Sequence, residues 1–363
     1  MTSQQQTTAL APTSPTPDAA PEATQELPPL HGVGLILADL DGVVYKGANA
    51  IPHAVDSLNR ADARVGYITN NASRTAVSVA EHLSGLGLQA REDDVVTSSQ
   101  AAVRLLRGLV DEGSEILVVG GEGLIVEVER AGFSAVFRST ADTAAVIQGF
   151  APQVGWEMLA EAAFSLQGEH AERPWVATNN DWTIPVARGI APGNGTLVSA
   201  VHTAVGRLPV VAGKPEVAIF ESAIERFGSG DTLFIGDRLD TDILGANRAG
   251  IRSAHVLTGV DGAKQLLAAD KTMRPTFILG DLRGLFESYP AVRHGQDGLV
   301  EVGDAAVSMR GNRVELVRPG AETDGVRLDL VRAASAAIWA SGLAIYGIDV
   351  NEALLDELGI ARP

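Results

Sequence analysis

Asp39 and Asp41 stand two residues apart at the end of an apolar run, in "GLILADLDGVVYKG" (34–47). Strand alternation sends both side chains to the same side. Carboxylates this close repel one another unless something positive sits between them. Taken alone, the pair reads equally well as a polar strand end followed by a turn at Gly42. A calcium loop of the EF-hand type does not fit, because its fifth position, which needs an oxygen ligand, is Val43.

Three other stretches offer complementary chemistry. In "YITNNASRT", Thr69 and Asn70 end an apolar run and a helix is expected to begin near Ser73; hydroxyl, amide and helix start together would cradle an oxyanion. Helix capping is the plainer reading of the same residues. In "VAGKPEVAIF", Lys214 precedes Pro215, which suits the first position of a helix. It is not a P-loop, since no G-x-x-x-x-G-K-[ST] occurs. In "LFIGDRLDTDILGAN", Asp237 follows a strand, and Asp240 and Asp242 follow at a helix start. Acids at helix starts are common for dipole reasons, but three in six residues suggest a hard cation such as Mg²⁺. "VVGGEGL" lacks the third glycine of a dinucleotide loop, with Val126 in its place, and the seven histidines show no ligand spacing.

The elements that must position these residues follow an α/β grammar. "VGLILADL" and "RVGYIT" (64–69) read as strands buried on both faces, and "AVDSLNRA" (54–61) and "SRTAVSVAEHLSGLG" (73–87) as helices, the second capped by Ser73. The pattern returns in "TLFIG", "DILGANRAG", "SAHVLTG" and "PTFILG" (275–280). The fold class is therefore α/β: a doubly wound, Rossmann-like parallel sheet, with strand ends delivering the candidate residues. Residues 31–107 and 209–290 form this core, and 108–208, with its own strands and helices, an inserted α/β cap. Residues 291–363 form a small α+β extension, structural or for oligomerisation, and residues 1–30, rich in Pro, Thr, Ala and Gln, a disordered tail.

Composition narrows the partners. The 363 residues carry 45 acidic against 28 basic side chains, a formal charge of −17, which argues against nucleic acid and an anionic membrane surface. With no cysteine, disulfides, thiolate metal sites and Cys nucleophiles are excluded. No apolar run is long enough to span a bilayer, and the N-terminus lacks the regions of a secretory signal, so the default expectation is cytoplasmic. The sequence leaves a homo-oligomer open.

In the order DxDGV, TNN, GKP, GDRxxTD, these motifs resemble the haloacid dehalogenase superfamily of phosphatases. "DLDGVVYKG", "ITNNASRT", "VAGKP" and "IGDRLDTDILGANRAG" look like the branch with a large cap between its second and third motifs, the NagD-like and 4-nitrophenylphosphatase-like enzymes. The 145-residue separation of Thr69 and Lys214 has room for that cap. The resemblance covers about residues 33–288. It implies Asp39 as nucleophile, Asp41 as acid and base, and Lys214 as the neutralising cation. Gly42, Thr69, Asn70 and Lys214 would hold phosphate; Asp39, Asp41, Asp237 and Asp242 would hold or support Mg²⁺. "VATNND" and "PGNGTLVSAV" resemble the cap's substrate side, implying Asn180, Asp181 and Trp182 at the substrate. The chain departs from the branch at Ala151, where an acid is usual.

The implied activity is Mg²⁺-dependent hydrolysis of a small phosphorylated metabolite through an aspartyl phosphate. The cap and added C-terminal unit look most like the bacterial glycerol 3-phosphate phosphatases of this branch. Phosphoglycolate, pyridoxal phosphate, sugar phosphates and nucleotides are the alternative substrates. A non-catalytic ligand-binding regulator on the same fold is the reading from another class.

Overall fold

The computed structural model describes residues 26–186, 188–228 and 230–361. The expected tail falls outside them up to residue 25. The core reaches back past its expected start at residue 31: Pro29 is buried, Leu30 N–H donates to Leu285 O at 3.3 Å, and Leu27 O accepts from Tyr289 N–H at 3.3 Å.

Six parallel strands make the core sheet, in the spatial order Phe277–Leu279, Arg252–Val256, Thr232–Gly236, Leu35–Ala38, Arg64–Thr69, Val95–Thr97. The central strand is buried throughout. Leu35 and Leu37 pack on one face with Phe220 and Phe234, and Ile36 and Ala38 on the other with Leu83 and Val256. Burial on both faces explains the continuous apolar run, each large side chain contributing about 2 kcal/mol. Asp39, Asn70, Ser98 and Asp237 each follow the last residue of a strand or come next to it, so one edge of the sheet gathers them.

A second parallel sheet runs in the order Val210–Val211, Trp175–Ala177, Thr143–Gln148, Glu115–Val119, Ser134–Val136. Its outer strand lies just past the expected cap edge at residue 208. A hairpin, Thr183–Val186 with Gly189–Pro192, projects from the segment after Trp175–Ala177.

Two local expectations are corrected. The helix after the second core strand is Ala76–Gly85, and Thr75, not Ser73, caps it by accepting from Ser78 N–H at 3.2 Å. Ser73 is taken up elsewhere, its N–H and hydroxyl both donating to Asn71 Oδ1 at 2.9 Å. The helix after Lys214 is Val217–Phe227 with Glu216 at its cap, so Pro215 precedes the helix and does not open it.

The C-terminal unit is a five-stranded sheet, from Val292–His294 to Asp349–Val350, covered by the helix Leu328–Ser341. Asn351 caps the helix Glu352–Glu357 through the N–H groups of Ala353 and Leu354. The unit is joined to the core by side-chain bonds: Trp339 Nε1 donates to Leu266 O at 3.0 Å and Arg332 Nε to Ile278 O at 2.9 Å. No helix of the described residues is long and apolar enough to cross a membrane.

Candidate active site

Lys214 supplies a positive charge beside Asp39. Its Nζ lies 2.6 Å from Asp39 Oδ1 and 2.6 Å from Asp242 Oδ1, and all three residues are buried. Burial alone would pull the ammonium down; Asp242 and Asp39 more than reverse it, and Lys214 is held above its ordinary range. Burial pushes the Asp39 carboxyl well up, with Lys214 opposing and Asp242 and Asp237 adding to the rise.

Asp237 is also buried, and pushed up to about 7 by that burial and by Asp242. Its Oδ2 accepts from Val260 N–H at 2.7 Å, while its Oδ1 is buried with no hydrogen-bond partner. Oxygens of Asp39, Asp237 and Asp242 lie within 4.8 Å of one another. Three carboxylates around one ammonium leave net negative charge, and a buried carboxylate oxygen without a donor is costly. A hard, oxygen-seeking divalent cation fits this donor set. Asp242 already serves protein donors: Oδ1 takes Lys214, and Oδ2 takes the N–H groups of Asp237 and Arg238 at 3.1 Å each. Asp240, the other acid of that motif, lies away from the cluster in an exposed two-bond pairing with Arg238.

Asp41 is open to solvent yet walled by protein. That wall raises its carboxyl, with Lys214, Arg74 and His82 opposing. Gly42 turns the chain at φ +85°, and a Cβ there would stand 2.3 Å from Asp237 Oδ2, so only glycine fits. Its carbonyl accepts from Thr258 Oγ1 at 2.6 Å.

Thr69 is buried, and its Oγ1 accepts from Asn71 N–H at 3.1 Å, which leaves its own hydrogen to donate. The Asn70 carboxamide departs from expectation. Its Nδ2 donates to Lys214 O at 3.0 Å and to Asp181 Oδ1 and Oδ2 at 3.1 and 3.3 Å. Its Oδ1 accepts from Lys214 N–H at 2.8 Å. Both amide hydrogens are therefore spent on protein, and the side chain is no phosphate donor here.

Of the expected cap residues, Asp181 reaches the core through Asn70, while Asn180 and Trp182 are exposed. The main chain of 181–182 is gripped by the next segment: Trp182 O accepts from Gly193 N–H and Thr196 Oγ1, and Asp181 O from Gly195 N–H. The motifs did not single out Asn179, which donates to Asn70 O at 2.7 Å, or Arg238, whose charge opposes the rise that burial imposes on Asp181. Asn179 could have been found inside "VATNND"; Val260 N–H, a backbone donor, leaves no mark in the sequence.

Known proteins are similar to this chain in sequence and fold. The family model described as haloacid dehalogenase-like hydrolase matches residues 36–134, and a second, HAD-hydrolase-like, matches 211–285. A D-glycerol 3-phosphate phosphatase of Mycobacterium tuberculosis is 42% identical over 310 residues, 84% of this chain and 85% of its own. An acid sugar phosphatase of Staphylococcus aureus is 33% identical over 251 residues, 68% of this chain and 94% of its own. The crystal structure of the glycerol phosphate phosphatase of M. tuberculosis in complex with magnesium matches with a TM-score of 0.81 at 39% identity, covering 92% of this chain and 99% of that one. Residues 1–290 alone cannot reach that share, so the match includes the C-terminal unit. A 4-nitrophenylphosphatase of Thermotoga maritima matches with a TM-score of 0.64 at 27% identity, over 71% of this chain and 97% of that one. The chain belongs to the haloacid dehalogenase-like hydrolases.

Proposed function

We propose that this chain is a Mg²⁺-dependent phosphomonoesterase that hydrolyses glycerol 3-phosphate to glycerol and phosphate. The observation that carries the reading is Lys214 seated 2.6 Å from Asp39, beside the unpartnered Asp237 Oδ1. The 42% identity to a D-glycerol 3-phosphate phosphatase supports the choice of ester.

Asp39, Asp237 and the main-chain carbonyl of Asp41 would hold the ion, with Asp242 as their support; the chemistry a bound Mg²⁺ would supply is charge neutralisation for phosphoryl transfer. Asp39 attacks phosphorus as its bond to the alcohol oxygen breaks, giving an aspartyl phosphate. Asp41 donates its proton to the departing oxygen. It then takes a proton from the water that attacks the same phosphorus, and inorganic phosphate leaves with Asp39 restored. The raised Asp41 carboxyl suits a group that gives up a proton and regains one within the cycle. Lys214 offsets charge on Asp39 and phosphate, and the Thr69 hydroxyl donates to a phosphoryl oxygen. A purely ligand-binding protein would need no proton carrier two residues beyond a paired carboxylate.

The test is phosphate release from glycerol 3-phosphate, phosphoglycolate, pyridoxal phosphate, a sugar phosphate and a nucleotide, with Mg²⁺ and after chelation. Glycerol 3-phosphate should show the highest kcat/KM and chelation should stop turnover. Higher kcat/KM on another ester overturns the substrate, and absence of turnover on all of them overturns the reaction. Location in the cytoplasm and assembly as a homo-oligomer belong to the same proposal, tested by fractionation and light scattering.

A further inference from the structure

We infer that Asp181, a cap residue, is a positioning residue that acts on the reaction through Asn70, by orienting the carboxamide that grips Lys214. The inference rests on the phosphatase reading and replaces the expectation that Asp181 touches substrate.

An asparagine amide has two ends of nearly equal shape, one accepting and one donating. Lys214 needs both, the oxygen for its N–H at 2.8 Å and the nitrogen for its carbonyl at 3.0 Å. Asp181 approaches the nitrogen end with two oxygens, at 3.1 and 3.3 Å. An ionised carboxylate only accepts, so it admits one orientation of Asn70 and rejects the flipped one. Two further features point the same way. Gly213 lets Asn70 in, since a Cβ there would stand 2.6 Å from Asn70 Oδ1. The Asn70 carbonyl is clamped at 2.7 Å by both Ser98 Oγ and Asn179 Nδ2, the latter two residues before Asp181. The cap loop 179–181 thus holds Asn70 at its main chain and its side chain, and Asn70 holds the residue whose ammonium meets Asp39. The charge of Arg238 is already paired with Asp240, which leaves Asn70 as the direct hydrogen-bond partner of the Asp181 carboxylate.

The test is a double-mutant cycle of Asp181→Ala and Asn70→Ala, with kcat and KM measured on glycerol 3-phosphate and on 4-nitrophenyl phosphate. Asp181→Ala should lower kcat about tenfold on both esters alike, and add nothing when Asn70 is already alanine. A loss confined to one ester, or losses that multiply in the double variant, would overturn the inference. Asp181→Asn keeps a carbonyl acceptor and should recover part of the loss; it replaces Asp181→Ala in the cycle if that variant does not fold. A second readout needs no turnover: exchange of the Lys214 amide hydrogen, bonded to Asn70 Oδ1, should quicken about tenfold in Asp181→Ala. Unchanged exchange overturns the inference while the phosphatase reading stands. Faster exchange in a chain that hydrolyses no ester overturns the phosphatase reading alone.

Discussion

Asp242 Oδ1 lies 2.6 Å from Lys214 Nζ, and both residues are buried. Removing Asp242 leaves the buried ammonium with Asp39 as its remaining ion-pair partner and takes away a charge-assisted bond, at a cost of about 2 kcal/mol. Asp242→Asn should therefore lower unfolding stability by about that amount, read by urea denaturation, and cut kcat more than about a hundredfold. A variant as stable and as active as the parent would show that Asp242 does not hold the ammonium.

Gly42 predicts a second loss. Alanine there must adopt φ +85° and push Asp237, at a cost of about 2 kcal/mol. Gly42→Ala should fold less stably by calorimetry and require more Mg²⁺ for half-maximal turnover, because the displaced carboxylate belongs to the acid cluster proposed to hold the ion.

Mg²⁺ should stabilise the native chain, since binding to the folded state alone adds about 2.7 kcal/mol at a hundredfold excess over Kd. The effect carries a pH signature. Without cation, Asp237 is pushed up to about 7, so below that pH a proton competes for the oxygens the ion needs. The rise in Tm on adding Mg²⁺ should be larger at pH 8 than at pH 6, and Asp237→Asn should abolish most of it.

His255 sets an acid limit of its own. It is buried, its Nε2–H donates to Asp261 O at 2.9 Å, and burial lowers its pKa below the ordinary value of about 6.5. Between the lowered folded value and the unfolded one, only the unfolded chain binds the proton. Stability from this group is therefore full above about pH 6.5 and declines as pH falls below it. Denaturation midpoints across pH 5–7 should show a shallower decline in His255→Gln.

The catalytic motifs were legible because each is short and contiguous: a strand end and the residues just beyond it. The two sheets followed from apolar runs of strand length. What lay hidden spans long separations or lacks a side-chain signature. The bridge from Asn70 to Asp181 crosses 111 residues, and nothing at either position announces the other. Val260 meets Asp237 with its backbone. Ser73 and Thr75 compete for one helix cap by similar chemistry, and Asn71 decides between them by capturing Ser73. The strand Val210–Val211, which pairs with Trp175–Ala177, has only two residues, too few to show a period. Asp240 drew attention by proximity in sequence, but its side chain turns to Arg238.

The attachment of residues 291–361 bears on descent. Leu267 of the core is buried in one apolar cluster with Leu330 and Ile338, and Ile278 in another with Val331. Trimming the gene at residue 290 would lay both bare, so a viable short form would first have to repaint that flank with polar side chains. Long and short lineages of this kind should accordingly differ there as much as in where they stop.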